Sequence, residues 1–333
     1  MKGGAQLLKR ESGKEGSPFQ GAPLISVVVP CFNEEEVIEQ THARLSCVLR
    51  ELDGCGYEIV YVNDGSTDST AELLAGIVER DPRVRVVRFG RNFGHQAGVF
   101  AGLKAAAGDA VVMIDADLQD PPEVIVEMVA QWRAGWRIVT GRRLSRNGES
   151  LFKKWTAFCF YRALWQVADH PVALDTGDFR LLDRAAVDAI ISLPENQLYL
   201  RGVISWTGLS ETVVEFVRAP RAAGETKYTL KKMIRLSRQG LISTSSMPLR
   251  LPMTVGLASL AAAAAAKSVR RRQKFSGAAA QFGLQALLTG VLAEYLQVVH
   301  EQVRGRPPYI VEDVMQNQER RSAELADGIR RVS

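Results

Sequence analysis

The amino-acid sequence predicts an α/β fold in which a mostly parallel sheet is flanked by helices. The spacing of the apolar segments indicates this fold. Between Leu24 and Ile138, short apolar runs alternate with longer amphipathic stretches. Strands of a parallel sheet are buried on both faces and need crossover helices between them, which produces this rhythm. The runs are, in order, "LISVVVP", "YEIVYVND", "VRVVRF", "AVVMIDAD" and "WRIVTG".

The composition fits one large core with a smaller appendage and an anionic partner. The chain has 333 residues, of which 46% are hydrophobic and 24% are charged, enough for such a core. The net charge of +5 favours a phosphorylated small molecule, a membrane surface or nucleic acid. The four cysteines form no CxxC pair, which argues for free thiols in a reducing compartment. Because the polar start has no apolar stretch like that of a signal peptide, we expect the protein to face the cytosol.

The segments after the alternating region have a different character. Residues 175–193 are typical of a short strand followed by a helix, and residues 199–250 are interpreted as strands, a Gly-bearing loop and a basic amphipathic helix. The apolar run at 251–266 consists mostly of small residues and is shorter than the ~20 residues of a membrane span. We predict a flexible leader (1–23), a main α/β domain (24–229), a basic amphipathic juxtamembrane helix (230–251), a degenerate hydrophobic helical hairpin (252–299) and a polar, helix-prone tail (300–333).

Acidic side chains follow the fourth predicted strand, in the segment "DADLQDPPE". Two aspartates one residue apart repel each other unless a cation lies between them. Carboxylate and amide oxygens suit a hard divalent ion such as Mg²⁺ or Mn²⁺, which takes substrate phosphate oxygens as further ligands. Such pairs also occur by chance in loops and helix caps, but the strand-end position and the double proline favour a function. We therefore expect Asp115, Asp117 and Gln119 to bind a metal.

Turn residues follow the first two strands in "VVVPCFNEEE" and "VNDGSTDST". Ligands of open parallel sheets bind beyond the carboxyl ends of the strands. There Asp64 can accept hydrogen bonds from a nucleobase or ribose, and the Gly65 turn allows close approach. Pro30 ends its strand, Asn33 caps, and Glu34 can reach the same base. For the turn after the second strand, the alternative is helix capping by Ser66, Thr67 or Asp68. Ligand binding by Asp64 and capping by these later residues can both hold.

The ordered motifs resemble those of family 2 glycosyltransferases of the polyprenyl-phosphate type, which include dolichol-phosphate mannose synthases and bacterial undecaprenyl-phosphate glucosyltransferases. Besides the two turn motifs, the matching segments are "FGRNFGHQAGVFAGLKAAAGDAVVMIDADLQDPPE", "TGDFRLLDR", "LRG" and "GETKYTLKKMIRL". The resemblance covers residues 24–251 closely and continues weakly through "EYLQVVHEQVRGRPPYIV". It implies a GT-A type fold with a Rossmann-like sheet, and a catalytic domain at 24–229.

The resemblance also implies roles for individual residues. Pro30, Glu34 and Asp64 are implied in the nucleotide pocket, to which Asn33 is added, and Asp115 is implied as a ligand to ribose or metal. Asp117 with Gln119 is implied as the metal pair. The basic residues implied in phosphate binding are Arg143, Arg201 and Lys227.

Several of these roles have alternatives. Arg142 could replace its neighbour Arg143 at the phosphates. Asp178 and Arg180 in "GDFR" are expected to shape the acceptor site. His95 lies in a Gly-rich loop, where a lone histidine is more often structural than catalytic. Lys231 and Lys232 are interpreted as contacts to lipid headgroups.

The activity implied by the resemblance is transfer of a hexose, with inversion, from a nucleotide-diphosphate sugar to a polyprenyl phosphate. Such an acceptor is already anionic and needs little help from a general base, while the metal, Mg²⁺ or Mn²⁺, and basic groups stabilise the leaving diphosphate. We expect Asp117 to give the largest loss of rate on mutation. UDP-glucose is the expected donor, with GDP-mannose next.

The chain departs from the family in its hydrophobic region. Bacterial members end in two long transmembrane helices, whereas this region is shorter and alanine-rich, and its connecting loop reads "KSVRRRQKFSG". Cationic short loops favour the cytosolic side. We therefore expect residues 252–299 to be peripheral or shallowly inserted at the cytosolic face of the membrane, with tail-to-tail packing into a homo-oligomer as one way to cover them. Lys267, Arg270, Arg271 and Arg272 would lie among anionic headgroups.

The sequence also allows two other functions. A soluble family 2 transferase acting on a saccharide or small molecule would need a general base near the acceptor, for which Asp178 is the candidate. A non-catalytic module that binds nucleotides or nucleic acid could use the positive net charge. The acidic strand ends would repel phosphates without a metal, and the basic residues form no recognition motif, so a nucleic-acid partner is not expected.

Overall fold

The structure is a computed structural model that describes residues 21–144, 176–193, 200–217 and 274–317. Several predictions lie outside these ranges. They concern most of the leader, Lys227, the basic helix at 230–251, the first part of the hairpin with its cationic loop, and the end of the tail.

The first half of the chain alternates strands and helices as the sequence predicts. Its elements are β1 (Leu24–Cys31), α1 (Ile38–Arg50), β2 (Gly56–Asn63), α2 (Thr70–Arg80), β3 (Val84–Phe89), α3 (His95–Ala105), β4 (Ala110–Met113), α4 (Val124–Arg133) and β5 (Ile138–Arg143). The later elements are β6 (Thr176–Asp183), α5 (Arg184–Ile191), α6 (Leu200–Trp206), β7 (Glu211–Phe216), α7 (Lys274–Val303) and β8 (Val311–Gln316).

The described strands form one eight-stranded mixed sheet in the order β7-β5-β6-β4-β1-β2-β3-β8. Strands β1 to β4 are parallel neighbours, and β5 pairs in parallel with β7. Strand β6 is inserted antiparallel between β4 and β5, and β8 pairs antiparallel with β3 at one margin. The prediction of a mostly parallel sheet with flanking helices is therefore confirmed in outline. The two antiparallel strands make the sheet mixed.

Helices cover both faces of the sheet, which explains the continuous apolar runs. Along β1, Val27 and Val29 pack with α1, α2 and α4, whereas Val28 packs on the opposite face with α3, α5 and α6. Each of these three valines is completely buried. A strand buried on both faces needs apolar residues at consecutive positions.

The later elements differ from the sequence prediction in two places. Residues 200–206, interpreted as part of a strand, form helix α6, in which Leu200 and Ile204 are buried one helical turn apart. Residues 311–316, within the predicted polar and helix-prone tail, form the marginal strand β8. Alternation of apolar and polar residues in "VEDVMQ" is weak, and its partner strand β3 lies more than 200 residues earlier.

The predicted hairpin is not confirmed. Its second part belongs to α7, which runs without a break through Lys274–Val303. Among the helices that the structure describes, none combines the length and the apolarity needed to cross a bilayer.

Helix α3 packs closely on β1. A Cβ atom at Gly102 would lie 2.2 Å from Cγ1 of Val28, and one at Gly98 would lie 3.4 Å from Cβ of Pro30. The two glycines therefore let the helix approach the strand closely. Because α3 starts at His95, this contact also places His95 at the end of the sheet.

We expect Gly102→Ala to destabilise the fold by about 1–3 kcal/mol, because the new methyl group overpacks against a stiff, buried valine. Urea denaturation followed by circular dichroism measures this change. Gly76→Ala in α2 is the matched control, since nothing lies within 4 Å of its Cβ position, and we expect it to stabilise by about 0.5–1 kcal/mol. Equal stability of the two variants would contradict the packing described here.

Candidate active site

Polar side chains from separate segments meet at one edge of the sheet, here called the carboxyl edge. Strands β1, β2, β3, β4 and β5 end there, and the antiparallel strand β6 begins there. Sequence reasoning placed its candidates at the ends of β1, β2, β4 and β5, and the topology brings these ends together. The residues at this edge include Asn33, Glu34, Asp64, Asp115, Asp117, Gln119, Arg143 and Asp178.

The loops after β1 and β2 are tied together by Asn33. Its backbone has a φ of 56°, in the left-handed region, which asparagine tolerates better than most residues. Its Oδ1 accepts a hydrogen bond from the backbone N–H of Thr67 (2.8 Å), and its own N–H donates to Oγ of Ser66 (3.1 Å). The N–H of Glu34 donates to Oγ1 of Thr70 (2.9 Å). Asn33 thus shapes the pocket by holding two loops, and its contact with a nucleotide stays a prediction.

Asp64 is bonded to the loop between β3 and α3, here called the β3–α3 loop (residues 90–94). Its Oδ1 accepts from the N–H of Phe93 (2.6 Å) and its Oδ2 from that of Gly94 (2.8 Å). Burial raises the pKa of Asp64, and these two bonds offset part of the rise. The adjacent Gly65 has a φ of 65°, and a Cβ there would lie 2.4 Å from the backbone carbon of Arg91. The carboxylate therefore organises this loop besides facing the carboxyl edge.

Pro30, also predicted in the nucleotide pocket, is buried behind it. The proline lies in β1 directly under α3, next to Gly98. Its contribution is to the packing of the wall. Among the predicted capping residues, Asp68 accepts hydrogen bonds from the N–H (3.1 Å) and the Oγ1 (2.6 Å) of Thr70, the first residue of α2.

The loop after β4 concentrates negative charge. Asp115 is partly exposed, and burial together with the charges of Asp178, Asp117 and Asp120 raises its pKa, although His95 lowers it. Oδ1 of Asp117 accepts a hydrogen bond from the N–H of Gln119 (3.1 Å). The intervening Leu118 has a φ of 56°, an unfavourable conformation for a bulky residue, of the kind that clusters at functional sites.

The donor set after β4 fits a divalent cation in part. Oε1 of Gln119 is buried and has no hydrogen-bond partner among the residues that the structure describes, as expected of an oxygen reserved for a ligand. Among the residues that the structure describes, no three His, Cys, Asp or Glu side chains converge as a metal centre. Mg²⁺ commonly binds through one or two carboxylates and completes its shell with water and substrate phosphates. The predicted ligands Asp115, Asp117 and Gln119 suit that kind of site.

Two cations face these carboxylates across the carboxyl edge. Nε2 of His95 lies 3.4 Å from Oδ2 of Asp178 and 3.7 Å from Oδ1 of Asp115. Nε of Arg201 donates to Oδ1 of Asp178 at 2.7 Å. Burial lowers the pKa of His95, but the hydrogen bond to Asp178 and the charges of Asp115 and Asp178 outweigh it and raise the pKa to about 9. His95 is therefore an imidazolium ion at neutral pH.

Asp178 is the anionic partner of His95. Burial raises its pKa, but the hydrogen bond from His95 and the charge and hydrogen bond of Arg201 outweigh that effect and hold the pKa well below its usual range. Asp178 is therefore a carboxylate. Sequence reasoning interpreted His95 as structural. The signal that could have placed it here is its position at the start of a helix that follows a strand ending at the carboxyl edge.

The structure separates the two neighbouring arginines of β5. Nη2 of Arg143 lies 3.2 Å from Oδ2 of the buried Asp120, and its guanidinium lies over Gly177, whose Cβ position would be 3.0 Å away. Arg142 points elsewhere and pairs with Glu215 of β7. Arg143 is therefore the arginine at the carboxyl edge. Both Arg143 and Arg201 are held by carboxylates, so a phosphate would share or replace these partners.

We expect the His95 imidazole to titrate at about pH 9 in protein freed of metal by a chelator. Asp178→Asn should lower this midpoint, because the variant removes one negative charge beside the ring. Nuclear magnetic resonance of labelled histidine follows both midpoints. His42 is the internal control: burial lowers its pKa from 6.5, and it should not respond to the change at Asp178. A His95 midpoint at or below 6.5 in the unmodified protein would contradict the arrangement.

Comparison with known proteins identifies the family of the chain. The model of the family "Glycosyl transferase family 2" matches residues 26–191. The chain is similar to the uncharacterized glycosyltransferase YkcC of Bacillus subtilis, with 41% identity over 86% of this chain and 93% of that protein. It is also similar to the prophage bactoprenol glucosyl transferase homolog of Escherichia coli, with 37% identity over 87% of this chain and 99% of that protein.

A third relative comes from a bacteriophage. The bactoprenol glucosyl transferase of Shigella phage SfII is 37% identical over 86% of this chain and 97% of its own length. Each of these relatives aligns with more than four-fifths of this chain. The chain therefore belongs to glycosyl transferase family 2, and it is a glycosyltransferase built on a GT-A-like mixed sheet with flanking helices.

Proposed function

We propose that this glycosyltransferase transfers a hexose from a nucleotide-diphosphate sugar to a polyprenyl phosphate and inverts the anomeric configuration. UDP-glucose is the proposed donor, and GDP-mannose is the second choice. Relatives named bactoprenol glucosyl transferase support the acceptor, since they align with 86–87% of the chain. The observation that carries the proposal is the loop after β4, where the partly exposed Asp115 and Asp117 stand beside Gln119, whose buried Oε1 has no hydrogen-bond partner among the described residues.

A divalent ion, Mg²⁺ or Mn²⁺, would be held by Asp115, Asp117 and Gln119, where it would supply charge neutralisation for the leaving diphosphate. Within the described part of the chain, the buried Oε1 of Gln119 accepts no hydrogen bond, so this oxygen is available to a ligand. The repulsion that raises the pKa of Asp115 would be relieved by the cation. The nucleoside part of the donor would lie between the loops after β1 and β2, beside Glu34 and Asp64.

In the proposed reaction, an oxygen of the acceptor phosphate attacks the anomeric carbon, and the bond from that carbon to the diphosphate breaks. The electron pair leaves with the nucleoside diphosphate. No proton has to be removed from the attacking oxygen, because a phosphate monoester is already anionic near neutral pH. The chain's contribution is then to hold two anions close together, for which Arg143, Arg201 and the His95 imidazolium supply positive charge.

The state of Asp178 disfavours the alternative of a soluble transferase with a saccharide acceptor. Such an acceptor has a hydroxyl group that must lose a proton, and Asp178 is the candidate base. A carboxylate whose pKa is held well below its usual range is a weak base. Asp178 is better suited to orient His95 and Arg201 than to accept a proton. This argument favours an acceptor that arrives already deprotonated.

A lipid acceptor requires access to a membrane, and we propose peripheral or shallow attachment at the cytosolic face. Residues 252–273 of the segment that would attach lie outside the described residues. Within it, α7 exposes Leu292, Leu296 and Val299, which recur at helical spacing along one stripe. Release of the protein from membranes by high salt is the expected result of fractionation, and a requirement for detergent would contradict peripheral attachment.

The central experiment follows the labelled sugar. The full chain is incubated with polyprenyl phosphate, Mg²⁺ or Mn²⁺, and labelled UDP-glucose or GDP-mannose, and the mixture is extracted with organic solvent. We expect label in the organic phase, and none when a chelator removes the metal. Label found only in water-soluble saccharide would support the soluble alternative. Absence of cation-dependent binding of any sugar nucleotide in calorimetry would overturn both.

Among the acidic residues, we expect Asp117→Asn to reduce kcat at least about 100-fold, because the variant removes one of few oxygen ligands to the cation. The metal concentration for half-maximal activity should rise as well. Asp53→Asn is the matched control, since it removes one exposed carboxylate in the loop before β2, at the opposite edge of the sheet. Asp117→Asn with unchanged activity and metal requirement would contradict the assignment.

A further inference from the structure

Three aromatic rings connect the C-terminal segment with the β3–α3 loop. The ring of Tyr309 stacks on that of Phe89, with centroids 5.0 Å apart and planes inclined by 15°. On another side of Phe89, the ring of Phe93 makes an edge-on contact at 5.7 Å and 87°. Phe89 is only 1% exposed, so the central ring of this column cannot move without disturbing both neighbours.

Strand β8 holds Tyr309 in this position through an irregular pairing with β3. Arg88 is opposite Asp313, but Phe89 is opposite Val311, so Glu312 is the extra residue of a β-bulge. Bulges redirect side chains and are common next to active sites. The carboxylate of Glu312 lies 3.4 Å from Nε of Arg88. The end of β3 is thereby held by charge and stacking from a segment more than 200 residues later in the chain.

The opposite side of the β3–α3 loop contacts the carboxyl edge. The N–H groups of Phe93 and Gly94 donate to both carboxylate oxygens of Asp64. Directly after Gly94, α3 begins with His95. The position of Phe93 therefore bears on Asp64, a residue predicted to contact the nucleotide.

We propose that Tyr309 is a positioning residue of the active site: by stacking on Phe89 it fixes the β3–α3 loop and, through it, Asp64 for the donor nucleotide. The Tyr309 ring acts on Asp64 indirectly, through the rings of Phe89 and Phe93. The part of the proposal that concerns the donor rests on the proposed function. The part that concerns the loop stands on the contacts alone and can be tested without a substrate.

The kinetic signature follows from the position of the loop. Tyr309 acts on the nucleotide side of the pocket, whereas Asp115 and Asp117 follow a different strand. We therefore expect Tyr309→Ala to raise KM for the donor about five- to tenfold, the effect of losing one aromatic pair, and to change kcat less than about twofold. Tyr309→Phe keeps the ring and should retain the original KM.

Amide hydrogen exchange of the full chain tests the loop directly. We expect exchange in residues 90–94 to become about five- to tenfold faster in Tyr309→Ala and to be unchanged in Tyr309→Phe. Ile310→Ala is the matched control, because Ile310 is next to Tyr309 in the chain and its side chain is 61% exposed. Exchange in β1 and β2 should be the same in all variants. If Tyr309→Ala unfolds, Tyr309→Leu replaces it, since leucine retains apolar volume without a flat ring.

The outcomes separate the two proposals. Faster exchange confined to β8, with residues 90–94 unchanged, would overturn the role of Tyr309. Faster exchange in residues 90–94 without the rise in donor KM would overturn its link to the donor. If no sugar nucleotide is a substrate, the proposed function fails, while faster exchange in residues 90–94 would still support the positioning of the loop.

Discussion

Repulsion among carboxylates at the carboxyl edge is the constraint on which the site depends. Asp117, Asp120 and Asp178 lie close enough to Asp115 to raise its pKa, and the protein compensates this charge with cations from other elements. His95 and Arg201 neutralise Asp178, and Arg143 lies beside Asp120. Asp115 and Asp117, at the end of β4, are partly exposed. In the proposed function, a divalent cation and the diphosphate of the sugar donor would bind there.

The amino edge of the sheet shows the contrast. Glu58 is 2% exposed, yet its carboxylate accepts hydrogen bonds from Oγ of Ser26 (2.6 Å) and from the N–H of Ala107 (2.7 Å), and Ser26 in turn accepts from the N–H of Gly108 (2.8 Å). Buried polar groups there are used for cohesion. At the carboxyl edge, polar groups remain partly exposed and in surplus, which suits them for ligands. One sheet thus has a cohesive edge and a reactive edge.

The sequence predicted well what short segments decide and poorly what distant segments decide. The apolar runs reveal β1 to β5 because burial on both faces leaves a local pattern, and Asp115 with Asp117 stands out because both belong to one loop. The association of His95 with Asp178 depends on the insertion of β6 between β4 and β5, which no local pattern encodes. Helix α6 was missed because its buried residues recur only once within seven residues, and β8 because its partner is remote in the chain.

The placement of β7 and β8 has a mechanical consequence. These strands form opposite margins of the sheet, so the chain leaves the catalytic unit at one side and returns at the other. Seven interstrand spacings amount to about 34 Å, and a helix the length of α7 spans about 45 Å. The intervening residues 217–310 are therefore joined to the sheet at two opposite margins. If this segment binds a surface, the sheet is attached to that surface through two connections. Two connections would restrict rotation of the sheet more than one connection would. The reactive edge would then keep a fixed orientation relative to that surface.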